Sequence, residues 1–331
     1  MERRRLLVTG GSGFLGTNVV ERFRSLGWET HNFDVDPPKA SAHREAWTRV
    51  DILDRDRFIA ETRSRQPEIV LHLAARTDLA EERNLAGYAA NIEGVCNLVD
   101  AVRASGSVRR VIVASSQLVC RLGYRPKDNY DFQPSTLYGR SKVLTERIVH
   151  AAADGDSTWT IVRPTSLWGP WFGVPLRNLF LLVRRGRYVQ AAGVTTWKQW
   201  GFVGNTVFQI ERLIEAPVDS VHRKTFYLAD YEPVELSDFV ERVRRAFGAR
   251  AVLRAPAPAL WAAALLGDVA KRVGWSNPPL STFRYRNIVT DEIQDVGPIR
   301  AISGPLPFTV DEGIAMTVRW LRDAEASRTS S

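Results

Sequence analysis

Thr9-Gly10-Gly11-Ser12-Gly13-Phe14-Leu15-Gly16 follows directly on the apolar run Leu6-Leu7-Val8, so a glycine-rich turn separates a predicted strand from a predicted helix. Gly10 permits the tight turn, Gly13 lets the backbone approach a phosphate, and Gly16 lets the helix pack on the sheet. The helix start adds unpaired N–H groups and the positive end of its dipole. Leu15, Val19, Phe23 and Leu26 form an apolar stripe at helical spacing, Gly27 ends the helix, and Thr30 to Asp34 reads as a second strand closing on an acid. This strand, turn, helix, strand and acid together predict a seat for a dinucleotide pyrophosphate. Asp34 is placed to accept hydrogen bonds from a ribose 2′-OH and to repel a 2′-phosphate, which selects NAD over NADP.

Alternation of strand-like and helix-like segments continues outward from that unit. Short strands end at Asp51 and run through Ile69–Leu73, Val111–Ala114 and Thr160–Arg163, and helices are expected at 54–65, 88–105 and 137–153. The pattern predicts an α/β chain with a Rossmann-type doubly wound parallel sheet and a smaller, discontinuous C-terminal substrate lobe. Residues 1–165 form the NAD-binding domain, 201–230 return to it, 166–200 and 231–323 form the substrate lobe, and 324–331 are a frayed tail.

Bulk composition narrows the class further. At 331 residues and 44% apolar content the chain can bury a large core, and its net charge of +8 comes from dispersed arginines rather than a basic tract, which does not favour nucleic-acid binding. Cys96 and Cys120 lack metal or redox spacing and read as small core residues. The five histidines show no metal-ligand spacing, so no metal is expected. No apolar stretch reaches membrane-spanning length and the first strand begins at once, so a cytoplasmic protein without stable membrane insertion is expected. Pro258 to Gly267, apolar and Trp-containing, is expected to be a buried helix, with contact to a membrane surface as the alternative.

Tyr138 and Lys142 stand four residues apart at the start of a predicted helix, on one face. A phenol titrates near pH 10 and becomes a useful base when a cation stabilises its phenolate. Ser116, after the fifth strand, is placed to hydrogen-bond the same substrate hydroxyl. With these residues the chain resembles the extended short-chain dehydrogenase/reductase superfamily, in its NAD-dependent nucleotide-sugar epimerase/dehydratase branch. The resemblance rests on Thr9 to Gly16, Asp34, Asp51-Ile52, His72-Leu73-Ala74-Ala75, Asn91, Ser116, Tyr138 with Lys142, and Arg163 to Pro170. It implies Ser116, Tyr138 and Lys142 as catalytic residues. It implies NAD held by Gly10, Gly13, Phe14, Leu15, Gly16, Asp34, Asp51, Ile52, Leu73, Ala74, Ala75, Asn91, Tyr138, Lys142, Pro164 and Thr165.

Two departures qualify what the resemblance implies. Gln117-Leu118 stand where sugar dehydratases carry an Asp-Glu pair, which argues against a 4,6-dehydratase, and Lys198 replaces an arginine that grips the nucleotide diphosphate. The expected function is epimerisation of a nucleotide-diphosphate sugar at C4 through a transient keto-sugar, as in polysaccharide biosynthesis. Arg177, Asn178, Lys198, Arg284 and Arg286 are then the expected substrate contacts. The alternatives are a keto-sugar reductase or hydroxysteroid-type dehydrogenase, and a non-catalytic dinucleotide-binding regulator. A homodimer paired through the helices 88–105 and 137–153 is also implied.

Overall fold

The run Leu6 to Val8 is fully buried in the computed structural model, as the middle of β1 (Arg5–Thr9) must be if helices cover both faces of a parallel sheet. The structure describes residues 3–79, 83–152, 155–275 and 280–329. β2 (Glu29–Asp34), β3 (Trp47–Arg49), β4 (Ile69–His72), β5 (Arg110–Ala114), β6 (Thr158–Pro164) and β7 (Lys224–Leu228) complete a seven-stranded sheet ordered β7-β6-β5-β4-β1-β2-β3, every pair parallel. The order reverses direction between β1 and β4, the switch point at which doubly wound folds open a crevice.

Helices α1 (Phe14–Ser25), α2 (Arg55–Arg65), α3 (Ala89–Ser105) and α4 (Leu137–Ala152) follow the strands in turn. The two faces of the sheet carry separate cores. Phe33, Phe58, Leu98, Val102 and Trp159 fill one, and Val19, Phe23, Ile210 and Leu213 belong to the other. β3 stops at Arg49, two residues short of the sequence expectation, because Asp51 begins a turn in which its carboxylate accepts from Leu53 N at 2.9 Å and its carbonyl from Asp54 N at 3.1 Å.

Beyond β6 the chain builds α5 (Leu176–Arg184), α6 (Val203–Glu215), α7 (Leu236–Phe247), α8 (Ala257–Arg272), α9 (Thr282–Val289), α10 (Gly297–Ser303) and α11 (Val310–Thr329). α6 packs beside α1 and leads into β7, so residues after 200 rejoin the sheet before α7 returns to the smaller lobe. Trp168 packs against Phe180, Phe202 and Phe239, and Trp200 edge-on to Phe239, all continuous with the core that holds Val19 and Phe23.

Three expectations require correction. The tail does not fray from residue 324, since α11 continues to Thr329 and Glu325 pairs with Arg184 at 2.5 Å. Cys96 is exposed on α3 rather than in the core, whereas Cys120 is buried. The stretch 258–267 is helical but not buried, with only Ala264 and Gly267 of α8 enclosed.

Candidate active site

The β1–α1 turn is shaped by what its glycines exclude. Gly10 has φ +72°, and a Cβ there would lie 2.6 Å from Ala74 N; at Gly16 it would lie 2.2 Å from the Gly10 carbonyl oxygen. The turn therefore folds flat against the end of β4, and α1 begins directly above it. Beside it, Asp34 closes β2 and accepts from Ser12 N at 3.0 Å and Asp36 N at 3.1 Å. Burial raises the Asp34 carboxyl above its usual range, and these N–H donors pull it back.

A cleft of 810 Å³ runs from this turn across the carboxyl ends of the strands. Gly10, Gly13, Phe14, Leu15, Gly16, Asp34, Asp51, Ile52, Leu73, Ala74, Ala75, Pro164 and Thr165 line it, together with Ser116, Tyr138 and Lys142. Asn91 stands behind the wall instead. Its side chain accepts from Arg76 N at 2.8 Å and donates to Arg76 O at 3.0 Å and Ser141 Oγ at 2.9 Å, which fixes the loop after β4. The flat turn, the acid at the end of β2 and the long cleft fit an extended dinucleotide.

At the other end of the cleft, Ser116 Oγ accepts from Leu118 N at 3.1 Å, which orients the hydroxyl just past β5. The Tyr138 phenol is pushed up to about 12 by burial, opposed by a hydrogen bond from Ser116 and reinforced by the nearby Tyr88. Lys142 is brought down to about 8, chiefly by burial and against the pull of Glu146, and its ammonium donates to Ala114 O at 2.8 Å. Lysine is thus tied to the end of β5, and the protein by itself holds the phenol protonated; the expected lowering of the tyrosine needs a further positive charge in the cleft. His72 donates or accepts across to Thr9 Oγ1 at 2.8 Å, and burial, aided by the Lys142 charge, drives it down to about 3, so the ring is neutral.

None of the expected substrate contacts Arg177, Asn178, Lys198, Arg284 and Arg286 lines the cleft. The charges of Asp34 and Arg177 both act on the Lys39 ammonium, which places Arg177 on the Asp34 side of the cleft. Asn178 is exposed on α5, and Arg284 and Arg286 are on α9. Lys198 is 2% exposed; its ammonium donates to Thr290 O at 2.8 Å and to Asn287 O, and lies 3.6 Å from Glu292. It satisfies carbonyls at the C-terminal end of α9, as a cation suits a helix C-terminus. Lys198→Met is accordingly expected to cost about 3 kcal/mol by leaving Glu292 buried without its cation. Thermal denaturation checks this: an unchanged melting temperature with a raised substrate KM would restore lysine to the substrate.

Sequence reasoning missed a set of polar residues that meets only in three dimensions. Glu292 accepts from Ser166 Oγ at 3.2 Å, from Trp200 Nε1 at 3.4 Å and from Gln117 Nε2, and Ser166 lines the cleft. No local signal marks Glu292, which arrives from the far lobe. Lys39, also on the cleft wall, follows Asp34 in a loop without regular pattern.

Fold and cleft define an enzyme of the doubly wound α/β class built around a dinucleotide. Residues 6–229 match the NAD dependent epimerase/dehydratase family, and the chain belongs to that family, with NAD as its cofactor. It is 27% identical over 329 residues to a 3 beta-hydroxysteroid dehydrogenase/Delta 5-->4-isomerase of Mycobacterium tuberculosis, covering 94% of this chain and 88% of the relative. It is 21% identical over 320 residues to the N-acetyl-alpha-D-glucosaminyl-diphospho-ditrans,octacis-undecaprenol 4-epimerase of Escherichia coli O157:H7, covering 95% and 94%. The solved UDP-glucose 4-epimerase of Thermotoga maritima superimposes with a TM-score of 0.76 at 19% identity, over 97% of this chain and 99% of that one.

Asp34→Ala is expected to lower the preference for NAD over NADP about 10- to 100-fold, the worth of a hydrogen bond to a charged group. Titrating both cofactors against wild type and variant checks this, and an unaltered ratio would remove Asp34 from the ribose.

Proposed function

We propose that the protein oxidises a secondary alcohol on the ring of a lipophilic or lipid-carried substrate, in the manner of a 3-hydroxysteroid dehydrogenase. Bound NAD supplies the hydride acceptor. Tyr138 takes the hydroxyl proton, Ser116 hydrogen-bonds the same oxygen and holds it in line, and Lys142 keeps the proton-transfer end of the cleft positive. The alcohol thereby becomes a ketone, its proton passing to Tyr138 and its hydride to the cofactor.

The observation that carries this reading is that, among the described residues, no cationic clamp for a diphosphate lines the cleft. Among the described residues, the charged ones on the cleft wall are Asp34, Asp36, Lys39, Asp51, Arg76 and Lys142. The first four belong to the adenosine end. Arg76 pairs with Asp78 at 2.7 Å and donates to Gly87 O, and Lys142 is bound to Ala114. Ser166, Leu167, Val174 and Leu176 make the remaining wall small or apolar. The similarity to the steroid enzyme over nearly the whole chain supports the same conclusion.

C4 epimerisation of a sugar is the second reading, favoured by the full-length similarity to an epimerase of an undecaprenol-linked sugar. Nicotinamide absorbance separates the two. A dehydrogenase accumulates reduced cofactor with a 3-hydroxysteroid, and an epimerase interconverts its sugar with no net change. Efficient turnover of a soluble nucleotide sugar, with none of the steroid, would overturn the first reading. We further propose a homodimer through α3 and α4, which lie side by side; a monomer by light scattering at micromolar concentration would refute it.

A further inference from the structure

α8 is turned inside out relative to an ordinary surface helix. On a wheel at about 100° per residue, Trp261, Leu265, Leu266 and Val269 fill one arc, and this arc faces solvent. The small residues Ala264 and Gly267 fill the opposite arc and are the ones enclosed. Surface helices of soluble domains do the reverse. Past the end of the helix, Val273 is 80% exposed and Trp275 56%, and Phe283 on α9 is 47% exposed. Trp261 and Tyr285 pack at 5.3 Å and hold the two helices together.

Charge along this segment is mostly of one sign. From Leu253 to Arg286 the basic residues are Arg254, Lys271, Arg272, Arg284 and Arg286, and the sole acid is Asp268. Asp268 is engaged at the start of α9, accepting from Thr282 N at 3.2 Å and Thr282 Oγ1 at 2.5 Å, and those bonds, helped by the nearby Arg272 and Lys271 charges, hold its carboxyl below the usual range. An exposed apolar face with tryptophans and a basic surround complements an anionic bilayer surface, where indole sits at headgroup level and Lys or Arg meets lipid phosphate. A second copy of the chain would bring two basic rims into opposition. At 16 residues α8 is about 24 Å long, too short to cross a hydrocarbon core of about 30 Å.

The apolar hairpin is joined to the cleft by a short path. Lys198 holds the carbonyls of Asn287 and Thr290 at the end of α9, Trp197 N donates to Asp291 at 2.8 Å, and Glu292 then reaches Ser166 on the cleft wall. We propose that α8 and α9 form a docking surface that seats the protein peripherally on an anionic lipid bilayer, with the substrate end of the cleft held beside the membrane. The inference concerns the surface alone and stands whichever of the two substrates is correct.

Sedimentation of the full-length protein with vesicles tests it. Vesicles of equal parts phosphatidylcholine and phosphatidylglycerol are expected to bind at least about tenfold more protein than phosphatidylcholine alone. The double variant Leu266→Glu, Val273→Glu is expected to lose about 100-fold or more in vesicle affinity. Both sites are largely exposed, so its cooperative melting and NAD affinity should match wild type. Lys271→Glu with Arg272→Glu should abolish the preference for phosphatidylglycerol. Wild-type protein that stays in the supernatant with both vesicles, or binding indifferent to the Leu266 and Val273 changes, would overturn the proposal. So would light scattering in which the Leu266 and Val273 variant loses an oligomer and wild type fails to bind vesicles, an outcome that assigns the face to self-association.

Discussion

Tyr138→Phe is expected to lose about 10²- to 10⁴-fold in turnover while keeping wild-type affinity for NAD. The substitution deletes one oxygen from a ring otherwise held by burial and by contact with Tyr88, whose centroid lies 6.1 Å away. Packing and the cofactor wall therefore survive, and only the proton acceptor is gone. The pH profile carries a second signature. Because burial holds the phenol up near 12 and Lys142 down near 8, the oxidation rate should rise with pH on the alkaline side, as proton loss from the tyrosine–lysine pair supplies the base. The apparent value belongs to the pair with cofactor bound, whose positive nicotinamide ring favours the phenolate. That limb should vanish in Tyr138→Phe. Retention of near-wild-type kcat on the true substrate would place the proton transfer elsewhere.

Arg163→Ala is expected to destabilise the fold by about 3–5 kcal/mol, the cost of leaving a buried carboxylate without its cation. Arg163 on β6 donates to Glu146 on α4 through Nε at 2.8 Å and through a terminal nitrogen at 2.7 Å, with side chains 1% and 0% exposed. Burial works against the guanidinium charge, and the two hydrogen bonds to Glu146 outweigh it. Ser115 Oγ donates to the same carboxylate at 2.5 Å, and Arg163 also reaches Asn129 O and Tyr227 Oη. This cluster fixes the end of β5 against α4, one helical turn beyond Lys142. Replacing both partners, Arg163→Met with Glu146→Leu, should recover most of the loss, since an apolar pair leaves no buried charge. Urea unfolding of the two single variants and the double variant measures the coupling. Strictly additive losses would show that the ion pair does not act as a unit.

The first half of the fold was legible because each of its decisions is local. The strand at Leu6, the turn at Gly10 and the acid at Asp34 lie within one stretch of chain, and a parallel strand buried on both faces leaves an unbroken apolar run. Tyr138 and Lys142 were readable for the same reason, since helical geometry alone puts residues four apart on one face. Their titration was not readable. The expectation that Lys142, together with an oxidised nicotinamide, stabilises the phenolate depends on both environments, and in the folded chain Lys142 spends a donor on Ala114 while burial raises Tyr138.

The second lobe is less legible, because its expected contacts rest on the resemblance rather than on a local pattern. Lys198, Arg284 and Arg286 are expected as anion ligands because the resemblance puts a nucleotide diphosphate where their segments converge. They do converge, but lysine turns inward to the carbonyls ending α9 and the arginines ride on the exposed hairpin. The burial expected for α8 failed similarly: an apolar stretch of that length fits a core or an interface equally well, and only the packed neighbours decide which arc is covered. The sequence by itself determined the parallel sheet, the dinucleotide turn and the tyrosine–lysine face, all set by backbone sterics and periodicity over short spans. Tertiary structure alone decided the destination of Lys198, the meeting of Glu292 with Gln117 and Ser166, and the outward turn of α8. Those depend on contacts between residues up to 175 apart, which no local pattern encodes.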